Sequence, residues 1–427
     1  MKTICLNFNI HKTYIQRKYR FFDIGTNNYY FDDFADTAQL QRAEANCLKP
    51  ACEMLLSLIK HNKKNFKFSV TISGSMLEQL ERDCPVVVDL LKQMAATGCV
   101  EFICTPYNHS LAALKDVDEF KHQVKQHSQT LARMFGVKPK TFQNTELIFS
   151  DQIAKVVEQM KFQTMLVEGA GRSLDLRGPN FVYFAGAAEK LKVLPRNQGI
   201  SQLMENGLKD NKLFSPLYFA NQLFQQDEYD NVINIRINYE VLNTAVFNNR
   251  DVLLFFKNLT EKIIGSGVYK FATPSQAIKE YQPVAPFTAS HPISGMNKEH
   301  NMQPWLGNEL QQEAFDKLYA LSDKMKLVTN KVLLKIWEKI QCSDYFYYMS
   351  TQFFENLDYN YKPNPYQSPY EAFINYMNIL GDFERRVNQH IENTQANALT
   401  DKQIDEKIKF YEEEIRNLKN TLKDRKK

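Results

Sequence analysis

Glu146 is the residue whose type and position point most directly to chemistry. It closes a short segment that reads as a buried strand, and it follows Asn144 and Thr145. A carboxylate in that setting can attack an electrophile such as a sugar anomeric carbon, while neighbouring amide and hydroxyl groups keep it ionised. The alternative is a structural glutamate that accepts hydrogen bonds from backbone donors. Position alone does not separate these two interpretations.

The elements that must position this side chain are strands alternating with helices. Apolar residues at every second position predict strands over 4–10, 66–72, 99–104, 141–146, 164–167, 232–238 and 268–272. Helical spacing lies between them over 49–61, 75–93, 119–135 and 152–160. This order predicts an α/β fold with a parallel sheet, either doubly wound or closed as a barrel. Because no glycine-rich phosphate loop follows the first strand, we favour the barrel.

In a parallel barrel, functional side chains lie at the carboxyl ends of the strands and in the loops that follow. The predicted strand ends offer His11, Ser73, Thr105, His109, Glu146, Glu168 and Asn238. This set does not form a metal-ligand pattern, since its acidic members are few and the seven cysteines lack ligand spacing. We therefore expect no metal, no other cofactor and no metal-dependent catalysis.

Composition and charge exclude several classes of function. The 427 residues carry a formal net charge of +4, so we expect no general attraction to nucleic acid or to a membrane surface. No apolar run reaches the roughly 18 residues needed to cross a bilayer. The first residues indicate a strand rather than a signal peptide. The odd number of cysteines predicts reduced thiols in a cytoplasmic protein.

Helical spacing dominates the chain after the proline-containing segment 281–304. Near the end, an a/d heptad stripe of less than three heptads is set among charged residues: Ile404, Ile408, Tyr411, Ile415, Leu418 and Leu422. We expect this last helix to fold back on its own domain. The alternative is a dimeric coiled coil.

Five short motifs lie in order along the chain at 11–13, 100–110, 144–147, 237–245 and 305–309, and the third and fifth are Asn-Thr-Glu-Leu and Trp-Leu-Gly-Asn-Glu. They resemble the motifs of the α-amylases and amylase-like proteins of glycoside hydrolase family 57, and the third and fifth are intact. The stretches 343–349 and 368–376 resemble the family's helical region. The similarity covers nearly everything up to about residue 395 of this sequence.

The resemblance implies a distorted (β/α)7 barrel with a C-terminal α-helical domain. We expect the barrel over 1–285, a linker or active-site loop over 286–305, and the α-helical domain over 306–399. A charged amphipathic helix over 400–427 completes this division.

Several motif positions depart from the family's pattern. Asn238 stands where the family has its acid/base aspartate, Thr105 where it has a further acid, and Ala245 where it has a closing histidine. Lys12 and Thr13 also replace family residues beside the retained His11. An asparagine cannot transfer the required proton, and general acid catalysis contributes typically about 10²–10⁴ in rate. The resemblance therefore implies an amylase-like protein of carbohydrate metabolism whose hydrolysis is weak or absent.

The resemblance also assigns roles and a ligand, an α-glucan or maltooligosaccharide. Glu146 takes the nucleophile position and Asn238 the substituted acid/base position, while the expected sugar contacts are His11, His109, Trp305, Asn308 and Glu168. The alternatives are a domain-interface core for Trp305 and structural hydrogen bonding for the two histidines.

Two other functions stay open. One is an active α-glucan hydrolase or glucanotransferase that uses a different acid, such as Glu168 or Glu240. The other is a non-catalytic partner subunit of an active amylase. The C-terminal helix is the segment expected to carry self-association or the contact with an amylase.

Overall fold

The computed structural model describes residues 1–62, 65–174, 177–210, 215–243, 252–352, 364–397 and 401–424. The strands in these ranges are β1 (Lys2–Ile10), β2 (Phe68–Ile72), β3 (Val100–Ile103), β4 (Thr141–Gln143), β5 (Thr164–Glu168), β6 (Tyr183–Ala185), β7 (Ala188–Arg196), β8 (Val232–Asn238), β9 (Tyr269–Phe271) and β10 (Pro286–Phe287). They belong to one sheet in which β6 runs antiparallel to β7 and the other ladders are parallel.

Seven of these strands close into a ring. β1 pairs with β2 and β8, β2 pairs with β3, and β5 pairs with β4 and β7. The two remaining joints are short: a bridge between Cys104 and Phe142 connects β3 to β4, and the pair Arg196 and Asn234 connects β7 to β8. β6, β9 and β10 pair beside the ring. The predicted seven-stranded barrel is confirmed.

The alternation along β1 sorts its side chains between two environments. Leu6 and Phe8 belong to a hydrophobic core between the strands and the surrounding helices. Asn7, on the opposite face, donates hydrogen bonds of 3.1 Å to the side chains of Ser69 and Thr71. Successive strand residues point to opposite faces, so the inside of the ring is polar at this level.

Helices cover the outside of the ring. They are α1 (Asp33–Ala43), α2 (Lys49–His61), α3 (Gly74–Asp83), α4 (Pro85–Ala96), α5 (Val117–Phe135), α6 (Asp151–Gln159), α7 (Gly171–Leu174), α8 (Gln198–Asp210), α9 (Pro216–Phe224), α10 (Val252–Ser266) and α11 (Pro274–Glu280). The predicted helix over 75–93 is two helices, because Pro85 has no amide hydrogen and begins a new helix after Cys84.

A helical region follows β10 and packs on the β4–β7 side of the ring. It comprises α12 (Gln303–Leu306), α13 (Glu309–Tyr319), α14 (Ser322–Met325), α15 (Lys331–Ile340), α16 (Ser343–Tyr347) and α17 (Pro369–Asn397). Phe142 and Tyr183 of the barrel share one hydrophobic cluster with Phe346 and Tyr376 of the helices. The two parts are therefore joined by a continuous apolar core.

The last helix, α18 (Asp401–Asp424), presents its apolar residues to solvent. Ile408, Tyr411, Ile415 and Leu418 are between 50 and 61% exposed. The expectation that this helix folds back on its own domain is therefore wrong for these side chains. Among the described residues, no helix combines the length and the apolar character needed to cross a membrane.

His127 of α5 ties the carboxyl ends of β2 and β3 together. The imidazole of His127 is fully buried. Its Nε2 lies 2.7 Å from the Ile72 carbonyl oxygen, and its Nδ1 accepts a 3.1 Å hydrogen bond from the Thr105 backbone amide. These two contacts fit the neutral ring, with its proton on Nε2. Burial lowers the pKa of His127 to about 4.

We predict that His127 makes the protein less stable as the pH falls from about 6.5 to about 4. In that window the unfolded chain binds a proton on His127 and the folded chain does not, which costs up to about 3 kcal/mol. His127→Gln should remove this part of the pH dependence of urea unfolding. His61→Gln, at an exposed histidine, should leave it unchanged. An identical pH dependence for His127→Gln and the wild type would contradict the prediction.

Candidate functional site

Glu146 lies in a tight turn three residues beyond β4, rather than at the end of the strand as the sequence suggested. Its φ and ψ of 43° and 38° are left-handed, which is rare for a residue other than glycine. Two contacts fix the turn: the Asn144 side chain accepts from the Thr145 amide at 3.0 Å, and the Thr145 hydroxyl donates to the Ser110 carbonyl at 2.7 Å. Strained backbone of this kind concentrates at functional sites.

The carboxylate of Glu146 is held from two sides. Arg236 Nη2 donates to one oxygen at 2.8 Å, and His109 Nε2 lies 3.2 Å from the other. The side chain of Arg236 is 5% exposed and that of Glu146 is 16% exposed. Although burial acts against the charged guanidinium, the Glu146 carboxylate raises the pKa of Arg236 above its ordinary value. The pair therefore favours an oriented, ionised carboxylate with limited access to solvent.

Asn238 ends β8 and belongs to a chain of amide side chains. Its Oδ1 accepts a 3.2 Å hydrogen bond from Asn9, whose own Oδ1 accepts from Gln143 at 3.2 Å. The backbone amide of Asn238 donates to Glu205 at 2.8 Å. An aspartate would accept from Asn9 just as the amide does, so this surrounding does not by itself require asparagine.

His11 and His109 are brought together at the carboxyl end of the barrel, where His11 follows β1 and His109 lies in the loop after β3. Their rings stack with centroids 3.9 Å apart, and His11 Nδ1 lies 2.7 Å from the Ser73 hydroxyl. On its other side, His11 Nε2 lies 3.4 Å from Cys342 Sγ and 3.6 Å from Asp344 Oδ2. Sequence reasoning did not single out Cys342 or Asp344. The available signal was the segment 343–349, which resembles the family's helical region.

Glu168 lies behind the Glu146 turn rather than beside a solvent-accessible sugar position. Its side chain is fully buried and forms an ion pair with Arg196 Nη2 at 2.7 Å. Gly295 lies between the two glutamates. Its amide donates to the Glu146 carbonyl at 3.1 Å. A Cβ on Gly295 would lie 2.3 Å from the Glu168 carboxylate, so only glycine fits there without a shift. Glu168 thus supports the turn from behind.

Trp305 and Asn308 have structural surroundings. The Trp305 side chain is 1% exposed in the core shared by the barrel and the helices, so it offers no free face for stacking. Asn308 caps α13 by accepting from the Gln311 amide at 2.9 Å, and it donates to the Met349 carbonyl at 2.9 Å. We leave both out of the sugar site proposed below.

Two other positions that depart from the resembled pattern, Lys12 and Thr105, also have structural partners, the first through its side chain and the second through its backbone amide. Lys12 forms a buried ion pair with Asp36. Burial raises the pKa of Asp36, and this effect is stronger than the opposite effect of Lys12. The amide of Thr105 is bound by His127. Ala245, at the position of the closing histidine, lies outside the described residues.

The structure thus defines a class: a seven-stranded parallel (β/α) barrel whose site is centred on the partly buried, ion-paired carboxylate of Glu146. The model of glycosyl hydrolase family 57 matches residues 5–290, and the chain belongs to this family.

Similar proteins support this family assignment. A Methanocaldococcus jannaschii protein named "Putative alpha-amylase" is 28% identical over 405 residues, which cover 89% of this chain and 84% of that protein. A GH57-type branching enzyme from Pyrococcus horikoshii has a similar structure, with a TM-score of 0.66, 13% identity and coverage of 94% of this chain and 92% of the enzyme.

A 4-α-glucanotransferase from Thermococcus litoralis is also similar in fold. The TM-score is 0.55 at 13% identity, and the match covers 83% of this chain and 53% of the enzyme. This chain therefore spans about half the length of that protein. At such low identity the two solved structures support the fold alone.

We predict that Arg236→Met destabilises the protein by about 3–5 kcal/mol, because it leaves the Glu146 carboxylate partly buried without its cation. The matched control is Arg133→Met. Arg133 binds Glu81 through two hydrogen bonds of 2.8 and 2.7 Å at an exposed site. Its loss should cost less than about 1 kcal/mol. Denaturant unfolding at neutral pH measures both changes, and equal losses would contradict the special role of the buried pair.

Proposed function

We propose that this chain is an amylase-like protein that binds an α-glucan or maltooligosaccharide and whose hydrolytic activity is weak or absent. Family membership and the α-amylase name of the Methanocaldococcus jannaschii relative support an α-glucan ligand. Glu146, with His109 and Arg236, is the centre of the proposed site.

The observation that carries this proposal is the amide at Asn238. Retaining glycosidases need a second carboxyl group about 5–5.5 Å from the nucleophile, first to protonate the leaving oxygen and then to activate water. Asn238 is tied into a chain of amides with Asn9 and Gln143, and an amide side chain does neither task. Loss of general acid catalysis costs roughly 10²–10⁴ in rate.

Glu168 and Glu240 are the candidate replacement acids, and the surroundings of both disfavour that role. Glu168 is fully buried in its ion pair with Arg196. Glu240 contributes, after burial itself, to raising the pKa of the Cys47 thiol. Cys47 belongs to the core between the strands and the outer helices, so Glu240 lies toward that side of β8. An active hydrolase or transferase therefore has less support than a binding protein.

The residues that remain could still perform the first half of a retaining reaction. An oxygen of Glu146 would attack the anomeric carbon, and the bond to the leaving group would break as the ester bond forms. From a glycosyl fluoride, the leaving group is the fluoride anion, which needs little protonation. Water would then have to be deprotonated before it could release the ester, and no carboxylate stands at position 238 to accept that proton.

We predict that α-maltosyl fluoride slowly forms a covalent ester on Glu146 and that this ester accumulates. Mass spectrometry should show one maltosyl increment on the peptide that contains 144–147. Glu146→Gln should not form the ester, since the amide is a poor nucleophile, while it keeps maltooligosaccharide affinity within a few-fold by calorimetry. Glu240→Gln is the matched control and should label like the wild type.

The Asn238→Asp variant tests the role of the missing carboxylate in the same experiment. The new carboxylate should release the ester, so that it no longer accumulates, while starch hydrolysis stays slow because Lys12 and Thr105 still depart from the pattern. Vigorous starch hydrolysis by Asn238→Asp would show that one residue accounts for the lost activity. Maltooligosaccharide binding without any ester would reduce Glu146 to a binding residue. Absence of both would favour the partner-subunit alternative.

We also propose that α18 associates with the α18 helix of a second copy of this chain. The exposed residues Ile408 and Ile415 occupy a positions, and Tyr411 and Leu418 occupy d positions. Isoleucine at a with leucine at d favours two parallel strands. A three-heptad helix has little stability alone, so burial of this stripe would also stabilise the helix.

The charges beside the stripe support a parallel pair. In a parallel dimer each g residue faces the e residue of the next heptad on the partner helix. Lys407 would then face Glu412, and Glu414 would face Lys419; all four side chains are exposed. An antiparallel, in-register pair would instead place Glu412 near its own copy. Charge complementarity therefore selects the parallel arrangement.

We predict that the protein is a dimer in solution and that Ile415→Asp makes it a monomer, because the change places two carboxylates in the apolar seam. Asn420→Asp makes the same charge on the outer face of the helix and should stay dimeric. Sedimentation equilibrium measures the mass of each. A monomeric wild type at all concentrations, or a dimeric Ile415→Asp protein, would contradict the proposal.

A reducing compartment, the cytoplasm, is part of the proposal. All seven cysteines are buried free thiols. Buried thiols of this kind are typical of proteins kept under reducing conditions.

A further inference from the structure

Three potential metal ligands of different chemistry converge beside the Glu146 site. His11 Nε2, Cys342 Sγ and an Asp344 carboxylate oxygen all lie within 4.8 Å of one another. His11 and Cys342 are buried, and the Asp344 side chain is 13% exposed. Spacing along the sequence did not indicate this group, because His11 lies 331 residues before Cys342 and the two meet only when α16 packs against the end of β1.

The arrangement is not that of a catalytic cysteine triad. In such a triad the thiol contacts one ring nitrogen of the histidine and the carboxylate contacts the other. Here Cys342 and Asp344 both approach Nε2, at 3.4 and 3.6 Å, while Nδ1 is engaged by Ser73. Two groups that can each carry negative charge therefore face the same nitrogen.

The contact with Ser73 fixes which nitrogen can act as a ligand. If Nδ1 carries the proton and donates it to the Ser73 hydroxyl at 2.7 Å, the lone pair of Nε2 points toward Cys342 and Asp344. Metal-binding histidines commonly donate the second ring N–H to an oxygen in this way, which fixes the ring orientation and tautomer. The hydrogen bond thus supports a ligand role for Nε2.

The separations match those expected around a tetrahedral zinc ion. With Zn–N and Zn–O near 2.0–2.1 Å and Zn–S near 2.3 Å, tetrahedral angles place nitrogen and sulfur about 3.6 Å apart and nitrogen and oxygen about 3.3 Å apart. The observed values are 3.4 and 3.6 Å. The third separation, between Cys342 Sγ and the Asp344 oxygen, is at most 4.8 Å, and rotation of the Asp344 carboxylate would bring it toward the roughly 3.6 Å that a tetrahedral ion requires.

We propose that His11, Cys342 and Asp344 bind one divalent transition-metal ion of the zinc class. A nitrogen, a thiolate and a carboxylate are all good zinc ligands, and three protein ligands leave a fourth position for water or a ligand hydroxyl. The stacked ring of His109 lies on one side of His11, so the ion would sit within reach of the Glu146 site. This inference does not rest on glucan binding.

The test is metal binding by the full chain, without any glucan. Protein freed of metal by a chelator is titrated with Zn²⁺ against a chromophoric chelator, and separately with Co²⁺. We expect one Zn²⁺ per chain and, with Co²⁺, the visible bands of a tetrahedral ion and a thiolate charge-transfer band in the near ultraviolet.

Variants separate this site from adventitious binding. Cys342→Ser should abolish the thiolate band and weaken Zn²⁺ binding at least 100-fold, and Asp344→Asn should weaken it at least 10-fold. Cys104→Ser is the matched control: Cys104 is a buried thiol that donates to the Val124 carbonyl, which a serine hydroxyl can also do. It should bind Zn²⁺ like the wild type.

The results that would overturn the proposal are equally definite. They are the absence of stoichiometric Zn²⁺ binding, a Co²⁺ complex without the thiolate band, or undiminished binding by Asp344→Asn. The Asp344 substitution lies at the most accessible of the three positions, so it keeps the test decisive if Cys342→Ser does not fold. Because glucan is absent throughout, failure here leaves the proposed glucan binding untouched.

Discussion

The buried ion pair between Glu146 and Arg236 is the interaction on which the arrangement of the site depends. Bringing both charges out of water costs several kcal/mol, and the pair recovers this only when its geometry is well defined. The surroundings supply that geometry: the left-handed turn aims the carboxylate, His109 holds its second oxygen, and Gly295 allows Glu168 and Arg196 to support the turn from behind. Each of these features has a physical reason only if Glu146 must stay in one place.

Six of the seven ring strands could be predicted, because they carry the period-two pattern of a sheet with different environments on its two faces. The seventh, β7, was not among the predicted strands. The position of Glu146 was misjudged by three residues, since the pattern does not show where a strand gives way to a turn held by Asn144 and Thr145. Burial of Trp305 could not be predicted, because the same motif suits a core residue and a ligand contact. The contact between Cys342 and His11 could not be predicted either, because the two residues lie far apart along the chain. Such contacts depend on tertiary packing.

The positions that depart from the family pattern are not left as gaps in the structure. Lys12 has its own buried partner in Asp36, Thr105 is fixed by His127, and Asn238 is part of a continuous line of amides. The pairing is not complete, since Asp36 Oδ2 is buried without a hydrogen-bond partner among the described residues. Each of these positions is nevertheless accommodated by its own local contacts.

The two short joints in the ring divide the barrel into two half-shells. One holds β8, β1, β2 and β3 with the first hydrophobic core; the other holds β4, β5 and β7 with the core shared by the helices. Arg236 and His109 belong to the first half-shell and Glu146 to the second. The contacts of the Glu146 carboxylate therefore connect the two half-shells across both joints. A small hinge movement between the shells would separate the charges, whereas a molecule that contacts both shells would hold them closed. We therefore expect occupancy of the site to make the whole barrel more rigid.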